Sequence, residues 1–147
     1  MPAPRIVPEL SVSDLILSMA FYTQVLGFAV RYERPEERFA YLELDGAELM
    51  IEQTCDPARR FVAAEPEYPF GRGLHLQIEV DDVPTLYTRV LATGTTLLLK
   101  LEERWYRRGK LESGHLQFVL TDPDGYVMRF FQSLGERAAS DARLTPP

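Results

Sequence analysis

One pattern occurs twice along this chain, and it limits the fold more than any other feature. The pattern is a short alternating strand, a capping aspartate, a single helix, a glycine stop and further strands that include an Asp-Gly hairpin. Val12 and Val80 are 68 positions apart, Asp14 and Asp82 again 68, and Gly27 and Gly94 67. In the first copy, Ile6, Pro8, Leu10 and Val12 alternate with Arg5, Glu9 and Ser11, which predicts a strand over Arg5–Val12. Pro8 confines that strand to an edge or a start, because proline cannot donate to a ladder. Ser13-Asp14 offers the cap for a helix carrying Leu15, Ile16, Met19, Tyr22, Val25 and Leu26 at helical spacing, and Gly27 ends it. Strands are expected at Phe28–Arg34, Arg38–Leu44 and Ala47–Thr54, the last two joined by Asp45-Gly46.

The second copy begins at Gly73–Val80, with His75, Gln77 and Glu79 on one face and Leu74, Leu76, Ile78 and Val80 on the other. Asp81-Asp82 caps a helix over Val83–Ala92. Strands follow at about Thr96–Leu101, Leu116–Thr121 and Tyr126–Gln132, the last after the turn Asp122-Pro123-Asp124-Gly125. The expected class is α+β, a single domain of two tandem β-α-β-β-β modules. Module one covers about 5–54 and module two about 73–132. Residues 55–72, with Pro57, Pro66 and Pro69, read as a linker or flap, and the stretch 102–114 as a long connecting loop. The tail, 133–147, has no periodicity and is expected to fray.

Charge and cysteine content exclude several function classes. Sixteen basic against 22 acidic residues give a net charge of −6, and the whole excess lies in the first 70 residues. Ten carboxylates stand between Glu33 and Glu67 against four arginines. Such a surface suits neither nucleic acid nor an anionic membrane, because both need clustered Lys and Arg. Cys55 is the only cysteine, which excludes a disulfide within the chain, four-cysteine zinc sites and iron–sulfur clusters. Its neighbourhood in sequence is acidic, which argues against a nucleophilic thiolate. No apolar run approaches the roughly 20 residues that span a bilayer, and the N-terminus lacks an export signature, so the cytoplasm is the expected compartment. Phosphate loops and Gly-x-Ser-x-Gly elbows are missing.

The chain resembles the vicinal oxygen chelate superfamily of glyoxalases, extradiol dioxygenases and bleomycin-resistance proteins. Four segments carry the resemblance: Pro8-Glu9-Leu10-Ser11-Val12-Ser13-Asp14-Leu15, Phe21-Tyr22 with Val25-Leu26-Gly27-Phe28, His75-Leu76-Gln77-Ile78-Glu79-Val80-Asp81-Asp82, and Asp122-Pro123-Asp124-Gly125-Tyr126. It implies a curved, partly open, barrel-like sheet and a homodimer. In metal-dependent members four strand positions each supply a His or Glu, and these positions correspond here to Val7, Glu52, His75 and Arg129. Val7 cannot ligate, and Arg129 places a fixed positive charge where a carboxylate would sit.

The expectation is therefore a metal-free cup in which Glu52 and Arg129 face each other as an ion pair, with His75 beside them. Trp105 and Tyr106, with Tyr41 and Phe61, supply rings for ligand binding. Rings beside carboxylates suit a flat cation. The resemblance points to a non-catalytic protein, like the bleomycin-resistance members, that sequesters a cationic antibiotic or similar small molecule in grooves of a homodimer. No cofactor is expected. The alternative is a divalent-metal lyase, isomerase or dioxygenase of the same superfamily, using Glu52 and His75 with Glu9 or His115 recruited. A sensor or carrier of a metabolite is a third class.

Overall fold

The computed structural model describes residues 4–140. Two four-stranded mixed sheets, each with one α-helix, reproduce the duplicated pattern. Module one consists of β1 (Glu9–Ser11), α1 (Leu15–Ala20), β2 (Ala29–Arg34), β3 (Phe39–Leu44) and β4 (Ala47–Glu52). Module two consists of β5 (His75–Glu79), α2 (Val83–Ala92), β6 (Leu97–Arg108), β7 (Leu111–Thr121) and β8 (Val127–Ala138). The strand orders are β1-β4-β3-β2 and β5-β8-β7-β6. In each sheet the first strand runs parallel to the last, and the other pairs are antiparallel. Neither sheet closes on itself.

Both helix caps form as the sequence requires. The Asp14 carboxylate accepts from the Leu17 amide at 3.1 Å, and Asp82 accepts from the Thr85 amide at 3.1 Å and the Thr85 hydroxyl at 2.7 Å. These bonds satisfy amide groups that have no partner inside a first helical turn. At the Asp45-Gly46 hairpin both residues have positive φ, 51° and 90°, which matches the right-handed twist of β3 and β4.

Four expectations are corrected. β1 is only three residues long: β4 pairs with 9–11 alone, although the Met50 amide still donates to the Pro8 carbonyl at 2.8 Å. The first helix does not continue in α geometry to Leu26. From Phe21 it widens, so that the Leu26 amide bonds the Phe21 carbonyl five residues back at 3.1 Å. The region 102–114 is not a loop. β6 and β7 pair from Leu97↔Leu120 out to Arg108↔Leu111 around a tight Gly109-Lys110 turn. β8 follows them outward to Ala138, so residues 133–138 of the expected tail form a strand, while residues 141–147 lie outside the described residues. The result is a three-stranded arm.

One core serves both modules. Leu10, Val12, Tyr22, Leu26, Phe28, Leu42 and Ile51 from the first join Ile78, Val80, Val83, Leu86, Val90, Phe118, Leu120, Met128 and Phe130 from the second. Strand alternation therefore turns every other residue toward the helices and the remainder outward. The module-two turn fastens the two halves together. Asp122, 4% exposed, accepts from the Tyr22 hydroxyl at 2.7 Å and from the amides of Asp124 and Tyr126, both at 2.9 Å. Asp124 accepts from the Ser13 amide and hydroxyl, and the Tyr126 hydroxyl donates to the Ser11 carbonyl at 2.8 Å. Burial raises the Asp122 pKa, and the three hydrogen bonds oppose that rise. Asp122→Ala strands the Tyr22 hydroxyl and two amides, and is expected to cost about 3 kcal/mol, since hydrogen bonds to buried charges contribute roughly 1.5–3 kcal/mol each before relaxation. Urea denaturation of wild type and variant measures it.

Candidate functional site

The outward faces of the two sheets form two separate half-cups. The first is a cavity of about 640 Å³ whose lining includes Glu9, Tyr32, Arg34, Phe39, Glu52 and Phe61. Its floor follows from register. Glu52 on β4 lies opposite Phe39 on β3 and beside Ser11 on β1, so Glu9 and Glu52 share the face that points away from the core. Burial, and then the Glu9 carboxyl standing against it, raise the Glu52 pKa to about 7, with Arg34 and Arg59 pulling the other way. Near neutral pH the Glu52 carboxyl is therefore partly protonated beside Glu9.

The rings of this half-cup already meet cations. The Arg34 guanidinium lies 3.9 Å from the centre of Phe39 and is held by Glu37 at 2.7 Å, while Arg59 lies 5.0 Å from Phe61. Tyr41 is buried and stacks on Tyr32 at 5.0 Å and 18°, so it stiffens the wall. Phe61 projects from the 55–72 segment and is 74% exposed. Cys55 also lines the cavity, and its Sγ accepts from the Arg38 guanidinium at 3.3 Å, so its closest charged neighbour is basic where the sequence context suggested acid.

The second half-cup belongs to module two and is lined by Gln77, Tyr106, Arg108, Ser113, His115 and Arg129. Arg129 donates to Gln77 and, at 3.2 Å, to the Tyr106 hydroxyl, which also accepts from Gln117 at 2.6 Å. The expected Glu52–Arg129 ion pair is absent within one chain: the two side chains sit in different sheets, and Glu52 answers to Glu9, Arg34 and Arg59 instead. His75 is exposed at the start of β5. Trp105 and Tyr106, adjacent on β6, point to opposite faces. Tyr106 enters the half-cup, whereas Trp105 lies over Gly114, is covered by Arg137 at 3.9 Å and donates to Glu103 at 2.9 Å. The sequence reading missed Gln77 and Gln117, although Gln77 lies in step with His75 on one strand face.

The proposed metal ligands do not gather within one chain. Glu9 and Glu52 stand in the first half-cup and His115 in the second beside Arg129, and among the described residues no three His, Cys, Asp or Glu side chains form a group that could hold an ion. Among the same residues no helix is long and apolar enough to cross a membrane.

With this geometry in place, comparison with known proteins settles the lineage. The family model "Glyoxalase/Bleomycin resistance protein/Dioxygenase superfamily" matches residues 5–130. The chain belongs to that superfamily. Among solved structures, TioX from Micromonospora sp. ML1 is 21% identical with a TM-score of 0.68, the alignment covering 90% of this chain and all of TioX. A protein of unknown function from Agrobacterium tumefaciens is 23% identical, TM-score 0.66, covering 91% of this chain and 97% of that one. The virulence protein STM3117 from Salmonella typhimurium is 19% identical, TM-score 0.65, covering 90% and 98%. These likenesses show the superfamily's fold. No curated protein matches the chain.

The Glu52 shift has a pH consequence. The folded state holds a proton that the unfolded chain, with an ordinary carboxyl near 4.5, releases. Between about 4.5 and 7 the folded state binds more protons than the unfolded one, so this group's contribution to stability falls as pH rises through that window. Glu52→Gln removes the decline, and its stability relative to wild type is expected to be greater at pH 8 than at pH 5 in parallel urea melts.

Proposed function

We propose that this superfamily member is a small-molecule-binding protein that sequesters a ligand with a flat, cationic part in the first half-cup. The observation that carries this reading is the Glu9–Glu52 carboxyl pair set beneath Tyr32, Phe39 and Phe61. A cation entering there favours loss of the Glu52 proton and meets its negative charge, while the rings supply stacking and cation–π attraction. Arg34 over Phe39 and Arg59 over Phe61 support the reading, because these faces accept guanidinium groups in the free protein. Sequestration requires affinity without reaction, which suits a cavity whose acids are paired with each other and not with a nucleophile.

Isothermal titration with metal-free bleomycin and with ethidium tests it. Binding is expected to be tighter at pH 8 than at pH 6, because Glu52, raised to about 7, must lose its proton, and to weaken in high salt, where exposed charges are screened within about 3–8 Å. Glu52→Gln is expected to lower affinity at least tenfold. Affinity that is indifferent to both pH and Glu52 would overturn the reading. Metal analysis of protein purified without chelator addresses the enzymatic alternative: a stoichiometric divalent ion would favour a lyase or dioxygenase over sequestration.

The same reading includes a homodimer, in which the open half-cup is covered by a second copy. Exposed strand edges and half-cups are surfaces that a symmetric partner can close. Light scattering at micromolar concentration is expected to return twice the chain mass of 16.8 kDa, and a monomer would remove the second copy from the binding site.

A further inference from the structure

The second half-cup holds polar groups that neither the fold nor the cation-binding reading uses. Its cavity, about 370 Å³, is lined by two guanidinium groups, an imidazole, two hydroxyls and an amide, with no carboxylate. Arg129 commits its terminal nitrogens to Gln77 and Tyr106, which fixes the guanidinium plane, but its buried Nε has no partner. His115 Nδ1 is likewise buried and unpartnered. The His115 ring is clamped between Phe131, stacked at 4.1 Å and 14°, and Tyr106 at 5.2 Å. Beneath them Gln117, 1% exposed, donates its amide to Glu102 at 2.9 Å and to Tyr106, and buries its own oxygen. Its orientation is not interchangeable, because a flipped amide would set its oxygen against the Glu102 carboxylate. The Gln117 oxygen, an acceptor, answers to the His115 ring and has nothing to offer an anion. Arg129 Nε is the buried donor of this cluster that an acceptor from outside would satisfy, and unsatisfied buried donors are uncommon in folded proteins.

The surrounding charge gives the sign of what is missing. Glu102 and Glu79 border the cluster, but Glu102 is taken up by Gln117 and Glu79 is exposed on β5. Arg104 lies 6.0 Å from the Tyr106 ring centre, and Arg108 reaches Glu136 at 3.3 Å. Arg129 is thus the one guanidinium of the cavity with no carboxylate partner among the ion pairs of the described residues. One unneutralised guanidinium beside a neutral ring and hydroxyls matches a single negative charge on a planar group better than a tetrahedral dianion.

We propose that the module-two half-cup is an anion site that takes the carboxylate of a small organic acid, held by Arg129 with His115 and Ser113 beside it. The site is separate from the first half-cup and opposite to it in charge, so a ligand spanning both would be a zwitterion.

Nuclear magnetic resonance of the full chain tests this by following the His115 imidazole, one of two histidines, during titration with benzoate and, separately, with inorganic phosphate. Benzoate is expected to shift the His115 signals saturably and phosphate to leave them in place. Arg129→Gln is expected to weaken benzoate at least tenfold, and Arg129→Lys, which keeps a charge but loses the planar fork, by at least threefold. If Arg129→Gln fails to fold, the lysine variant carries the comparison. Glu52→Gln, which changes only the first half-cup, is expected to leave benzoate affinity within twofold, so failure of the cation reading and failure of this one are separable. Preference for phosphate overturns the carboxylate assignment. No saturable response to either anion, or unchanged affinity in a folded Arg129 variant, overturns the site.

Discussion

The hydrogen-bonded turn at Asp122–Tyr126 is the interaction on which the arrangement of the two modules depends. Four short segments meet there: the end of β1, the cap of α1, the wide turn that carries Tyr22, and the entry to β8. Asp122 and Asp124 accept from Tyr22 and Ser13, 100 and 111 positions away in sequence. The Phe70 amide adds the end of the linker by donating to the Asp124 carbonyl at 2.8 Å. Gly125 is obligatory for two reasons: its φ is +91°, and a Cβ there would lie 2.6 Å from Pro69. The widening of the first helix at Phe21 belongs to the same junction, since Tyr22, fully buried, sits in that turn and bonds Asp122.

What was legible in the sequence was whatever depends on period and local chemistry. Leu76, Ile78 and Val80 alternate with polar residues and turn inward as that alternation requires, while Leu74, ahead of β5, stays exposed. The caps at Asp14 and Asp82 and the hairpin at Asp45-Gly46 are decided by side-chain and backbone preferences within four residues. The arm was not legible because residues 102–108 carry charges on both faces, and a strand without an apolar face looks like a loop to any argument built on burial. Its only local signal was the Gly109 turn. Glu52 and Arg129 line two different cavities, one on each sheet. Their pairing failed because alternation says which way a side chain points within its own sheet and nothing about which other sheet it faces.

The two half-cups show how a duplicated scaffold separates its chemistry. Corresponding strands present a carboxyl pair in one module and a guanidinium in the other, on faces that the shared core leaves free. Each charge is stabilised locally: Glu52 by Arg34 and Arg59, Arg129 by Gln77 and Tyr106. The core therefore stays almost wholly apolar, with Asp122 and Asp124 confined to the junction and Glu112, in the arm, met by Arg137.

β6 is twelve residues long, stands at the outer margin of its sheet and has β7 on one side only. An unpaired strand of that length offers a row of free amides and carbonyls on which another chain could grow. Lys100, Glu102, Glu103, Arg104, Arg107 and Arg108 populate the greater part of it with both signs of charge, so an incoming strand in most registers meets like charge or loses hydration. The remaining stretch, Leu97–Leu99, is apolar, but its pairing with β7 is broken by shifts in register, which bend it out of the flat form that strand addition needs. The dense charge of the arm thus has a colloidal consequence apart from any ligand: it disfavours strand-by-strand growth on a long open edge.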